Sequence, residues 1–544
     1  GMSAKDALVM QSVRYYPLHA PPVMYVLAAV LAALAILTPA AGADVAETAS
    51  IRLARLQTAP DEFETDGQVL LQTQAVTSSF QGGHLRLHEP SMAVQPEPEA
   101  KLLHVPEDWV LNIVVVIVLA VVVVFTAVGF YSGSEGWVIA MFVASYLILI
   151  PGLFSKDFSF NIAVNVDFKA LGLPPSLKDL LKVFMPDFPS RIQITQPRGH
   201  YGPIHESTRS LVGFLQQSGS TRGAVLIAIF AFAMPGVKLI LLIIGLSLRH
   251  SKRALCTGIA GWSIFFVQVI SKWAAPDMFA MILLFHLLHG LDHPPLIESL
   301  QGYDVGFTFY SVFCVFSVIS TLAVKAPAKE RPSAAAPAPA VLRALGPHGV
   351  HGLALGLSAA WLVLFVAGLL TPCLAMDLDK QQLLSQFHMP AQVLKMLKPV
   401  TDRLSSMMSD EVSVWACSWE TLHWFALTGR LNLLMSALML IVLVLAVTVL
   451  DMLAILWAAH RLFWGSAKGK DGAGGNRALE FMHVLRHLSF MDVLVVGVIT
   501  VGYVAEMYAS QGILVTFRSG LWLLAASECC HWGAFLLVRS ASGE

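Results

Sequence analysis

The sequence predicts an all-α polytopic membrane protein of about ten transmembrane helices, arranged as two pseudo-repeated four-helix units with small β/α caps on the exoplasmic face. Three observations carry that prediction. Hydrophobic residues make up 56% of the 544-residue chain and charged residues only 13%, against roughly a quarter charged in a soluble domain. Apolar runs of about 20 residues, the length that crosses a hydrocarbon core, recur between polar or turn-forming stretches. Short markers of the first half return in the second.

Residues 1–43 read as a cytoplasmic N-terminus and signal anchor with its apolar run at 22–43. Arg14, the apolar stretch 23–37 and "AGA" at 41–43 also fit a cleavable signal peptide. Segment 44–108, acidic and containing "QPEPEA", is an exoplasmic segment without strong structural signals. Residues 109–136 supply an additional transmembrane helix and the tight turn "SGSEG". The first four-helix repeat, 137–325, has spans at 137–154, 223–248, 273–291 and 303–324. Pro and Ala dominate "APAKERPSAAAPAPA", so 326–350 is a semi-extended linker. The second repeat, 351–540, has spans at 352–372, 430–460, 489–508 and 513–538.

Short loops rich in Lys and Arg mark the cytoplasmic side. "RHSKR" at 249–253, the linker and the stretch 461–486 all fall on one side of this arrangement. Both termini are then expected in the cytoplasm, leaving 44–108, 155–222 and 373–429 outside.

"LIPGLFSKDF" aligns with "LTPCLAMDLD", placing Pro151 on Pro372 and Asp157 on Asp377. "SKWAAPDMFAM" aligns with "RHLSFMDVLVV", placing Asp277 on Asp492, and Gly306 matches Gly520. Each half then has a long exoplasmic loop after its first span and a basic cytoplasmic loop after its second.

The stretch "STRSLVGFLQQSGSTRGAVLIAIFAFAMPGVKLILLI" resembles the paraquat-inducible protein A family, in which a Ser-rich exoplasmic segment, a Gly and a span with Pro-x-x-Lys follow in order. "SKWAAPDMFAMILL" is similar to that family's Lys-Trp segment at the start of its third span, with Ala275 and Pro276 departing from the pattern. The resemblance covers 137–325 and, more weakly, 351–540. It implies two four-helix membrane units in the inner membrane of a double-membraned cell, or a eukaryotic endomembrane for a divergent member. It also implies membrane lipids as cargo and a mammalian-cell-entry (MCE) domain partner that forms a lipid conduit. Many members carry cytoplasmic zinc ribbons; this chain has no CxxC.

Lys238 is the most informative single position. A charge near a helix centre costs about 2.5–3.5 kcal/mol on insertion scales and so faces protein or water with a partner. Asp277, near the cytoplasmic start of the next span, lies within reach of a snorkelling lysine, and the two are expected to pair. Pro235 lacks a backbone donor and frees the carbonyl of Ala231 beside the charge. Such a pair reads as a polar gate or proton-sensitive latch, or as an interhelical staple. In the second half Val449 and Met452 stand where Pro235 and Lys238 stand. There Asp451 and Asp492, with no lysine nearby, read as marks of a degenerate, regulatory half or as an acid pair whose burial together favours retaining a proton.

"FHLLHGLDH" spaces His286, His289 and His293 for one helical face beside Asp292, a pattern that suits a divalent metal, a proton relay or interhelical hydrogen bonds. Cys373 and Cys417 share an exoplasmic loop and are a candidate disulfide. Cys529 and Cys530, beside Glu528 and His531, read as packing residues. "FSFNIAVNVDFK" alternates as a strand with one apolar face, and 176–185 follow as an amphipathic helix. The two form a small cap or a docking surface.

A net charge of -1 with no basic tract excludes nucleic acid as a partner. No phosphate loop, HExxH or nucleophile-base motif is present, so the chain has no ATPase of its own and no cofactor is expected beyond the possible metal. The leading expectation is a membrane component of lipid transport between membranes. A structural or assembly subunit is the alternative; a membrane oxidoreductase using His286, His289 and the cysteines ranks last.

Overall fold

The computed structural model describes residues 108–131, 134–165, 191–193, 204–251, 253–294, 297–324, 340–380, 398, 401–402, 405–468 and 472–542. The expected anchor at 22–43, the segment 44–107, the helix at 176–185 and the linker at 326–339 lie outside these residues. Among the described residues the protein is mostly helical, with eight helices long and apolar enough to cross a membrane. An apolar stretch at Trp109–Phe125 is shorter.

Helices α1 (Asp108–Tyr131) and α2 (Ser134–Phe154) form the expected hairpin. Strands β1 (Phe158–Asn165), β2 (Arg191–Gln193) and β3 (Ile204–Glu206) lead to the short helix α3 (Thr208–Gln217), whose first turn is closed by a reciprocal Ser207–Ser210 capping box. The span Thr221–Leu248, α4, pairs with α5 (Ala254–Ile270). A 3₁₀ turn at Ser271–Ala274 separates α5 from α6 (Pro276–His289). Strand β4 (Ile297–Tyr303) and helix α7 (Val305–Leu322), which packs on α2, complete the first half.

The second half begins with α8 (Ala340–Leu370), then β5 (Leu374–Leu378), β6 (Asp410–Val412) and α9 (Val414–Thr428). Helix α10 runs through Leu431–Leu438, Met439–Ala446 and Val447–Lys468, and pairs with α11 (Gly472–Leu488). A break at Ser489–Phe490 leads into α12 (Met491–Ala505). Strand β7 (Ile513–Phe517) and α13 (Ser519–Ser542), which packs along α8, close the chain.

Each half carries one small antiparallel sheet. β1 pairs with β2, β3 and β4; β5 pairs with β6 and β7. The same two backbone bonds tie each sheet to its last helix. Asp304 and Gly306 donate to Asp157 and Lys156, as Arg518 and Gly520 donate to Cys373 and Pro372. This register corrects the sequence alignment: Asp157 takes the place of Cys373, not of Asp377. The proline match misled because Pro151 lies inside α2, whereas Pro372 follows the end of α8.

Two other readings are corrected. Residues 254–270, left between spans in the sequence, are helix α5, and Lys272 at its end is buried. The stretch 461–486 is largely helical, and its Arg486 is 3% exposed, so it is no loop charge. The run Ala254–His289 spans 36 residues, more than the about 20 that one straight crossing needs, and the turn at Ser271–Ala274 interrupts it. The two halves meet where α6 crosses α12. There a Cβ on Gly497 would stand 2.9 Å from the Pro276 carbonyl, so the close approach requires glycine.

The first sheet joins the bundle through buried acids. Asp157 accepts from the Thr208 hydroxyl, and its Oδ1 is buried without a hydrogen-bond partner. Burial pushes its carboxyl well above the usual range, and Asp277 and Asp304 add to the shift. Burial likewise pushes Asp304 up to about 6, with Lys156 pulling the other way.

Both acids hold their protons more tightly folded than unfolded, so the contribution of Asp304 is full below the ordinary value of 3.8 and is lost as pH rises through about 6. Hydrogen-exchange protection of β4 and the start of α7 is expected to fall across that interval, and D304N to flatten the profile. A second prediction concerns the tied joints. A methyl on Gly306 would meet Lys156 O at 2.6 Å, and one on Gly520 would meet Pro372 O at 2.6 Å. G306A and G520A should each lower thermal stability by about 1–3 kcal/mol, while G236A, with nothing within 4 Å, should not.

Candidate functional site

The polar residues inside the bundle gather around the two helix breaks. Pro276 lacks an N–H and disfavours helical geometry at Ala275, so α5 cannot continue into α6. Ala275 sits at φ -116, ψ -2, and Asp277 falls in the first turn of α6, its Oδ1 accepting from Met278 N at 3.0 Å. Asp492 occupies the corresponding turn of α12 and accepts from Val493 N at 2.9 Å. Both carboxylates face the positive end of a helix dipole.

Helix breaks leave carbonyls free, and side chains take them up. Tyr310 of α7 donates to Ala274 O and to Asp277 Oδ1, both at 2.8 Å. Lys238 Nζ donates to Ser271 Oγ at 2.9 Å and to Ser317 O at 2.7 Å, and Ser271 Oγ lies 2.7 Å from Thr321 Oγ1. The expected Lys238–Asp277 pair is therefore not formed. The two side chains lie at opposite ends of the 271–275 break, where nearer oxygens and the Tyr310 hydroxyl take their places. Both residues are 1% exposed, and Asp277 Oδ2 is buried with no hydrogen-bond partner.

Pro235 acts differently from the sequence reading as well. A π-helical turn, Ala228–Ala233, precedes it and widens the helix. The external contact is Tyr146 OH donating to Pro235 O at 2.9 Å, rather than lysine on a freed carbonyl. A π-helical segment recurs at Met439–Ala446, where no proline follows, so proline is not what produces it. In that second segment Leu443 O accepts from Phe490 N, 3.3 Å away at the break between α11 and α12.

Asp451 and Asp492 are not an isolated acid pair. Lys272 Nζ, from the first half, lies 2.7 Å from Asp492 Oδ2 and donates to Ser489 O at 3.1 Å. Asp451 Oδ2 lies 3.0 Å from His531 Nε2 and 3.7 Å from Arg486 Nη1. Arg486 Nη2 meets Glu528 Oε1 at 2.5 Å, and the guanidinium sits 4.2 Å from the Trp532 ring centre. His531 Nδ1 lies 2.8 Å from Arg486 Nη1 and 3.3 Å from Glu528 Oε2. The imidazole thus has two hydrogen-bonding schemes: neutral, accepting from Arg486 and donating to Asp451, or charged, donating to both acids. Only the charged form balances Lys272, Arg486 and His531 against Asp451, Asp492 and Glu528.

The histidines of "FHLLHGLDH" do not converge. α6 ends at His289, so His293 leaves the helical face and pairs through its backbone with Ile297. His286 Nε2 lies 3.6 Å from Glu420, His289 hydrogen-bonds the Gln301 amide, and Asp292 accepts from Ser299 N at 3.0 Å. Among the described residues no group of three His, Cys, Asp or Glu side chains is placed to hold a metal. Cys373 and Cys417 are free thiols, not a disulfide, because Cys373 Sγ donates to Val412 O at 3.2 Å; burial pushes its thiol up to about 12.

Sequence reasoning missed Lys272, Arg486, Glu528, His531 and Tyr310. Arg486 counts as a loop charge in the basic stretch 461–486, and Lys272 carries no signal of its own. Glu528 and His531 carried a usable signal, since an acid and a base one turn apart inside an apolar span are rarely incidental. Comparisons with protein-family models, curated proteins and solved structures find no match for this chain.

The network makes a directional prediction. Removing one partner of a buried ion pair costs about 3–5 kcal/mol, whereas replacing the whole group with apolar residues is often neutral. R486M should therefore strongly destabilise the protein, and adding E528L and D451L should recover most of the loss in a thermal-unfolding assay.

Proposed function

We propose that the protein is the membrane component of a system that moves lipid, or another hydrophobic molecule, between membranes, beside an MCE-domain partner that carries the conduit. One observation supports this reading above the others: Lys238 and Asp277 are buried in the same half-bundle, yet the lysine meets only neutral oxygens and the acid only Tyr310, Met278 N and an empty lone pair. A bundle built only for rigidity has no need of two ionisable side chains buried without an ionic partner, which is costly whichever form they take. A second arrangement that pairs them, or that presents Lys238 to an anionic lipid headgroup, accounts for their retention.

In this reading the two halves are copies of one four-helix unit, and the matching joints at Asp157 and Cys373 support the duplication. The basic loop at 249–253 supports a cytoplasmic position for both termini and an exoplasmic one for both sheets. The protein is not an enzyme, requires no metal, and draws energy from its partner or from a proton gradient acting through His531. The second reading, a structural or assembly subunit, is favoured by the Lys272–Asp492 and Arg486–Glu528 pairs, which tie helices together without needing motion.

Lipid mass spectrometry on protein purified from native membranes, with a vesicle-to-vesicle lipid transfer assay, separates the two. Under the transport reading K238M and D277N remain folded and keep bound lipid but lose most transfer. Absence of bound lipid in wild type, together with unchanged behaviour in both variants, would establish the scaffold instead.

A further inference from the structure

Helix α9 bears its largest apolar side chains on the outside. Val414, Cys417, Ser418 and Thr421 are buried, while Trp415 is 51% exposed, Trp419 62% and Leu427 71%. At 15 residues it is about 22 Å long, too short for a hydrocarbon core of roughly 30 Å. The corresponding helix of the first half, α3, exposes Arg209, Ser210, Gln216 and Gln217 in that position, the composition of a face in water.

The contacts of α9 with α6 fix its direction. Asp410, just before α9, packs against Gly290; Glu420 meets His286; and the Trp424 ring packs on Phe285 and His289. From Asp410 to Trp424 the chain thus stays beside the last turn and a half of α6. Helix α9 crosses the spanning helix instead of running along it. Its depth is fixed independently by Asn112 of α1, which donates to Gly429 O at 3.1 Å and accepts from Leu431 N at 2.8 Å. Trp109, one turn before Asn112, is 59% exposed. Below this level the bare surface continues through Ile113, Val116 and Ile117 of α1 and Leu438 and Val442 of α10.

We infer that α9 is an interfacial helix lying in the headgroup layer of the leaflet beside the two sheets, with Trp415, Trp419 and Leu427 facing lipid. Its partner is the membrane surface itself. Tryptophan favours this layer because its ring is apolar and its N–H needs a polar neighbour. The exposed arc of α9 also carries His423 and Glu420 among its tryptophans, and a short helix with one face on protein and such a mixed outer face is stable where acyl chains meet headgroups. The exposed apolar surface of α1 and α10 continues directly into this face, so one solvent, the bilayer, covers all of it. This inference uses only the membrane placement of the bundle and is independent of any cargo.

The test uses the full chain in phosphatidylcholine nanodiscs. The chain has 12 tryptophans, so the signal is the emission difference between wild type and W415F/W419F, with each single Phe variant as a check that the fold survives. The difference emission should be blue-shifted, strongly quenched by lipid carrying a nitroxide on its headgroup, weakly by nitroxide at the chain end, and weakly by aqueous iodide. Strong iodide quenching with none from headgroup nitroxide would overturn the inference and leave the face for water or a protein partner. Stronger quenching from the chain end than from the headgroup would also overturn it, by placing α9 in the hydrocarbon.

Discussion

The Lys272–Asp492 ion pair is the contact on which the arrangement of the two halves depends. It joins the break before α6 to the first turn of α12 with both side chains withdrawn from solvent. Two charges removed from water repel any geometry that separates them, because each alone would face a low dielectric. The pair therefore sets the depth at which α6 crosses α12, and Gly497 permits the backbones to close on it. From this point the polar seam extends one way to Arg486, Glu528, His531 and Asp451, and the other way through Ser271 to Lys238.

Helix irregularities supply what regular helices cannot. The breaks at 271–275 and 489–490 and the π-helical turns before Pro235 and Val447 present main-chain carbonyls inside the bundle, where lysine, tyrosine and backbone N–H groups take them up. A membrane interior tolerates such departures only where protein covers them. Their concentration at the crossing of the halves is the structural counterpart of the polar residues gathered there. The histidines of α6 serve a different end, each held by a separate neighbour at the outer rim.

Spans, the strand at Phe158 and the acidic helix starts at Asp277 and Asp492 were readable in the sequence, because hydropathy and period act locally. Partner choice was not. Lys238 and Asp277 looked like a pair on depth alone, but rotation about each helix axis, set by packing, decided that Ser271 and Tyr310 were nearer. Arg486 differs from its sequence reading for a related reason: the positive-inside rule counts basic residues without knowing which are buried. The offset of 221 residues between Pro151 and Pro372 failed where hydrogen-bond register, invisible in sequence, placed Asp157 against Cys373.

That last substitution gives the two sheets unlike chemistry at one joint. On one side a buried carboxyl sits beside a second acid whose proton leaves near pH 6; on the other, a buried thiol held up to about 12 stays neutral throughout the physiological range, with Arg518 where the second acid would be. A fall in pH on the side of the sheets therefore acts on the joint of one half and leaves that of the other unchanged. A change of pH is thus felt at one of two matching joints rather than equally at both.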